Sequence, residues 1–127
     1  MYNLWLVGSG GFLGSVARYY IGGWVTQSTH VSRFPYGTLL VNVSGCFLIG
    51  LLAGIAEQAH WMRASTRLFL LTGFLGGFTT YSAFAYETYF LGREHLLSAA
   101  LANVALQVIL GFAAVVLGSS LALAFSR

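Results

Sequence analysis

No charged side chain occurs between Tyr36 and Ala56, nor between Leu96 and Phe125. Two further runs are nearly as bare: Leu4–Trp24 carries only Arg18, and Leu68–Phe90 only Glu87. A helix needs about 20 mostly apolar residues to cross a bilayer, and each run meets that length. Only 7% of the 127 residues are charged and 57% are hydrophobic, whereas soluble domains are about a quarter charged. Such a chain cannot clothe itself for water, so its solvent is lipid. The pattern predicts an all-α membrane protein, one four-helix transmembrane domain over residues 1–127, with spans near 4–24, 36–56, 68–90 and 96–125. Polar connections fall at Val25–Arg33, Glu57–Arg67 and Leu91–His95.

The charges also bear on orientation. All six basic residues are Arg and all three acids are Glu. The arginines are scattered rather than gathered, which argues against a nucleic-acid partner despite the net charge of +3. With four spans, Arg63, Arg67 and Arg127 lie on the terminal side, and Arg33 and Arg93 on the other, with Arg18 towards that second side. The positive-inside rule therefore has almost no bias to act on. Either a single arginine decides, or the chain inserts both ways and pairs with its inverted copy. The lone Cys46 can form no intrachain disulfide, and Met1–Gly11 lacks the basic start of a signal peptide, so no cleavage is expected.

Nothing resembles a soluble enzyme's constellation, and no catalytic residue is expected. There is no Asp, no nucleophile elbow, and His30, His60 and His95 stand in separate loops without metal-ligand spacing. The run from Gly8 to Gly14 faintly mimics a dinucleotide fingerprint, but the first acid is Glu57. Helix packing suits the glycines better: Gly10/Gly14, Gly50/Gly54 and Gly73/Gly77 are each spaced for close helix approach. Arg18 and Glu87 are intramembrane charges, each costing about 2.5–3.5 kcal/mol at mid-span. They need a partner, water or a role, unless they snorkel to an interface.

The third span carries the strongest signal, Gly73-Phe-Leu-Gly-Gly-Phe-Thr-Thr-Tyr-Ser-Ala-Phe84. Two glycines followed by two threonines propagate a helix poorly and predict a break at mid-membrane depth. Such a break frees carbonyls, which suit a bare alkali cation. Asn42 in the second span and Gln107 in the fourth add buried amides. Each alone reads as an interhelical hydrogen bond worth about 0.6 kcal/mol. With Thr79, Thr80, Tyr81, Ser82 and Phe84 they describe a polar track.

Three segments, Gly10–Tyr19, Gly37–Gly45 and Thr72–Thr88, resemble the Fluc (CrcB) fluoride channels across all four spans. The resemblance implies an antiparallel, dual-topology homodimer with two pores, exporting fluoride passively across the cell membrane. It implies a structural sodium ion (Na+) at the dimer centre, held by the carbonyls of Gly76 and Thr79. It assigns Asn42, Thr38 and Phe84 to the pore, with Tyr81 standing where a first phenylalanine is expected. Ser82 and Gln107 extend the track, Gln107 and Gly111 replacing expected small hydroxyl residues; Arg18 and Glu87 fall on family positions. The chemistry suits fluoride: amides and hydroxyls donate, and aromatic edges carry positive partial charge. The alternative from another class is a small multidrug-type cation exporter of four helices, which would want a carboxylate in its chamber.

Overall fold

The computed structural model describes residues 1–29, 33–58 and 62–125; His30, His60 and Arg127 lie outside the described residues. Two long helices come first, α1 (Tyr2–Ser28) and α2 (Tyr36–Gln58). A third arm follows: α3 (Ala64–Arg67), a π-helical segment (Leu68–Leu75) and α4 (Gly76–Phe78). After two extended residues the arm resumes as α5 (Tyr81–Arg93), and α6 (Leu97–Phe125) closes the bundle. The π-helical turn was not foreseen from sequence.

Three stretches are long and apolar enough to cross a membrane: Tyr36–Glu57, Ala64–Arg93 and Leu97–Ala124. At 27 residues α1 has the length, but Ser9, Ser15, Arg18 and its many glycines and tyrosines dilute its apolar character. The surface is that of an all-α membrane protein. Phe12, Trp24, Ile109 and Leu117 are each more than 60% exposed, while the buried residues that cluster into a core are Val41, Leu75 and Phe78.

Packing rests on glycine at close approaches. Helix α1 lies on the π-helical segment and α4, and α2 lies on α6. A methyl group on Gly14 would strike the Phe74 carbonyl oxygen, and one on Gly118 would strike that of Phe47. Without a hydrophobic drive between helices in lipid, such backbone proximity is what supplies contact. All three expected glycine pairs lie at these seams, Gly10 and Gly73 facing each other and Gly50 meeting the Val115 carbonyl.

Within the Gly76–Thr80 run the break falls on the two threonines and not on the two glycines. Gly76 is helical (φ −63°, ψ −37°), whereas Thr79 (ψ 156°) and Thr80 (φ −148°, ψ 115°) are extended. The β-branched threonines accept extended backbone readily, while Gly77 is spent on contact with the Gly11 carbonyl. At the far end of the arm, His95 takes a positive φ of 58° and its N–H bonds the Gly92 carbonyl as the chain reverses into α6. Arg33 Nη1 meets Glu94 Oε2 at 3.3 Å, fixing the start of α2 beside this turn. Depth along α2, α5 and α6 can thus be counted from a common end.

Candidate functional site

Two rungs of polar side chains cross the bundle between α2, α5 and α6. The rung nearer the Arg33–Glu94 end pairs Thr38 Oγ1, donating, with Glu87 Oε1 at 2.6 Å. Beside it Asn103 Nδ2 donates to Thr88 Oγ1 at 2.9 Å, and Thr88 donates onward to the Phe84 carbonyl at 2.8 Å. Asn103 is fully buried. The deeper rung, about 6 Å or one helical turn further in, joins Asn42, Thr80 and Gln107.

At that deeper rung the helix break is held by side chains. The Thr80 N–H donates to Asn42 Oδ1 at 2.8 Å, and Asn42 Nδ2 donates to the Thr80 carbonyl at 3.1 Å and to Gln107 Oε1 at 3.1 Å. Thr80 Oγ1 caps α5 by accepting from the Ala83 N–H at 3.2 Å. In a continuous helix those two N–H groups would serve the carbonyls of Gly76 and Thr79. Both carbonyls are therefore released by the break, the positions from which cation ligands are expected. The neighbouring Gly77 carbonyl instead accepts from Ser15 Oγ at 3.4 Å.

A cleft of about 290 Å3 opens on the break, lined by Asn42, Cys46, Thr79, Thr80, Tyr81, Phe84, Gln107 and Val108. Tyr81 and Phe84 pack with ring centroids 5.7 Å apart and planes tilted 60°. Tyr81 is 81% exposed on the outer side of the arm. A second cleft, about 270 Å3, lies behind the break and includes Arg18, Thr38 and Thr80. The structure thus brings together Asn42, Gln107, Tyr81 and Phe84 in one cleft, and Arg18 with Thr38 in the other. Ser82 is not among the residues lining either cleft; its hydroxyl lies 3.4 Å from Thr80 Oγ1. Glu87 is bonded to Thr38, and no ion pair joins it to Arg18 among the described residues.

Three buried polar atoms find no partner among the described residues: Glu87 Oε2, Asn103 Oδ1 and Gln107 Nε2. Cys46, Thr88 and Asn103 are additions that sequence reasoning missed. Asn103 could have been found, since it lies one turn before Gln107 on the same face of an otherwise apolar span. Cys46 stands opposite Gly111, where an added methyl would meet its Sγ at 3.5 Å.

Residues 5–119 match the family described as CrcB-like protein, Camphor Resistance (CrcB). The chain belongs to the CrcB family. Relatives span nearly the whole of it. It is 41% identical over 121 residues, 95% of this chain and 94% of the relative, to the fluoride-specific ion channel FluC of Methylobacillus flagellatus. The protein of the same name from Solibacter usitatus is 47% identical over 117 residues, 92% and 95% of the two chains. Fluoride-specific ion channel FluC 3 of Methanosarcina barkeri is 42% identical over 126 residues, 99% and 94%. The matched CrcB region takes in both rungs, the broken arm and both clefts.

Proposed function

We propose that this CrcB chain is a fluoride-selective channel, letting fluoride leave the cell passively and lowering its cytoplasmic concentration. One observation carries the reading. Helix α5 begins inside the bundle, at Thr80, and its N-terminal end opens on the cleft that holds Phe84, Tyr81 and Gln107. A helix N-terminus presents positive partial charge, ring edges add more, and among the described residues no carboxylate lines that cleft. Such a place favours a small dehydrated anion. The relatives' names supply fluoride as the anion. A small multidrug-type cation exporter gains no support: its chamber would need a carboxylate, and Glu87 is turned to Thr38 on the other rung.

Four spans complete the reading, with α1 as the first. Tyr2 and Trp5 stand exposed at one end of α1 and Tyr19, Tyr20 and Trp24 towards the other. Tyr2 and Trp24 are separated by about 33 Å of helix, close to the hydrocarbon thickness a bilayer offers. Aromatic residues at both ends are the usual interfacial anchors. The near-equal arginine split supports insertion in both orientations and assembly as an antiparallel homodimer in the cell membrane. The released carbonyls of Gly76 and Thr79 are hard oxygen donors and fit a sodium ion. When bound between two copies, that ion would join them and raise the potential felt by an anion nearby.

The test is ion efflux from liposomes holding the purified protein, loaded in turn with fluoride, chloride and an organic cation. Release of fluoride alone is the expected result; equal chloride release or cation export overturns the proposal. Adding several arginines to one terminus should force a single orientation and lower flux when that version is expressed alone. Undiminished flux from a uniformly oriented population removes the antiparallel dimer.

A further inference from the structure

The hydrogen bonds of the deeper rung have a fixed polarity, and it begins at the main chain. A backbone N–H can only donate and a backbone carbonyl only accept. Thr80 therefore settles which end of the Asn42 amide is which: Oδ1 faces the N–H at 2.8 Å and Nδ2 faces the carbonyl at 3.1 Å. The second N–H of that Nδ2 meets Gln107 Oε1 at 3.1 Å. Flipping the Gln107 amide would set two NH2 groups against each other. The break thus dictates the orientation of a side chain on another helix, and Gln107 Nε2 is left buried without a partner.

A buried donor without an acceptor is costly, and native structures rarely keep one idle. Gln107 lines the cleft together with Asn42, the two threonines of the break, the aromatic rings, the Cys46 thiol and Val108. None of the oxygens on those walls accepts a bond from Gln107 Nε2 among the described residues. Both N–H groups of Asn42 are already engaged, whereas both of Gln107 are free to serve a visitor. We propose that Gln107 is the amide donor that receives the transported anion, and that Asn42 is a positioning residue that turns the Gln107 NH2 towards it. This inference rests on the channel reading above and divides its labour between two amides.

The direct measurement is on the unaltered sequence. The chain holds three glutamines, Gln27, Gln58 and Gln107, so protein labelled with nitrogen-15 on glutamine gives few side-chain amide signals. The Gln107 pair is assigned by its disappearance in Gln107→Met. Sodium fluoride should move that pair downfield and sodium chloride should not. In liposomes, Gln107→Met keeps the shape and loses the donors, and fluoride flux should fall at least about tenfold. Gln107→Ser returns one donor and should recover part of it. If Asn42 acts through Gln107, Asn42→Ala should abolish the fluoride-induced movement of the Gln107 pair while the pair itself stays visible; a pair that still moves removes the positioning role. A Gln107 amide unmoved by fluoride, or Gln107→Met with unchanged flux, overturns the assignment. An unaltered protein that transports no fluoride refutes the channel reading instead, and the amide titration alone then decides whether Gln107 binds the anion.

Discussion

The side-chain amide of Asn42 grips both main-chain groups of Thr80, accepting from its N–H at 2.8 Å and donating to its carbonyl at 3.1 Å. Asn42 so replaces the hydrogen bonds that the interrupted third arm has given up. An interrupted helix in hydrocarbon is tolerated only where protein or water satisfies the freed groups. One side chain from α2 does much of that here, and the bond it takes from Thr80 is the one that would have closed on Gly76.

Asn42→Asp should therefore damage the fold as well as transport. An ionised Asp is acceptor-only, so it would oppose the Thr80 carbonyl with no proton to share, and the Gln107 amide would turn its NH2 to it. Stranding that carbonyl should cost roughly 1–3 kcal/mol. Thermal unfolding in detergent should show a lowered midpoint, and fluoride flux should fall severely. An unchanged midpoint would show that the break does not depend on this grip.

The glycines separate into two classes with opposite expected signs. Among the described residues nothing lies within 4 Å of a methyl placed on Gly8 or Gly23, whereas one on Gly14 would run into the Phe74 carbonyl. Gly8→Ala and Gly23→Ala should be neutral or raise stability by about 0.5–1 kcal/mol, since alanine is the better helix former. Gly14→Val should separate α1 from the third arm and abolish a stable bundle. Denaturation of the three variants side by side checks the contrast.

How much of this was legible in the sequence follows from what each signal measures. Charge-free runs report the solvent of a helix, and they located α2, the third arm and α6 to within a few residues. The polar residues of those runs could be named as well, because Asn42, Gln107 and Glu87 are conspicuous among apolar neighbours. Their pairing was not readable. That Asn42 faces Thr80 and Glu87 faces Thr38 depends on the relative rotation of three helices, which hydropathy does not encode. The run Gly76-Gly77-Phe78-Thr79-Thr80 marked the break as a whole but not which pair carries it, since Gly77 answers to contact with α1 and the threonines to backbone shape. Asn103 was missed because one polar residue in a long apolar helix carries little weight until its neighbour one turn on is counted with it.

Gly76 supplies a test of assembly separate from the fold. Among the described residues of one chain a methyl group there meets nothing within 4 Å, and Gly76 is exposed just before the break. Gly76→Val should thus leave a single chain's helices intact. If a second copy and a sodium ion occupy that face, the same substitution should shift the purified protein from dimer to monomer and remove its sodium dependence. Sedimentation in detergent with and without sodium reads both. A dimer unaffected by Gly76→Val would place the contact elsewhere.

Cys46 offers a direct check on the pathway. It is the sole cysteine of the chain, half-buried on the wall of the cleft beside Asn42, Phe84 and Gln107. A small methanethiosulfonate reagent adds bulk at that thiol without touching any other side chain. Fluoride efflux should stop on modification, be restored by a reducing thiol, and be insensitive in Cys46→Ala. Full modification with unaltered efflux would mean that the anion passes by another route.

Tyr81 and Phe84 lie three residues apart at the start of α5, their rings 5.7 Å apart and tilted by 60°. Phe84 can offer an anion only its ring-edge hydrogens, while Tyr81 has those and a hydroxyl. A hydroxyl would bind fluoride more strongly, but a pore must release what it binds. The ring pair is also common to both residues, whereas the hydroxyl belongs to one. Tyr81 should therefore act as a ring. Tyr81→Phe is expected to keep flux within a few-fold, and Phe84→Ile, which removes the edge while keeping the bulk, should cut it severely. Liposome efflux measured on both variants decides the matter: flux lost in Tyr81→Phe but retained in Phe84→Ile would assign conduction to the hydroxyl instead of the ring edges.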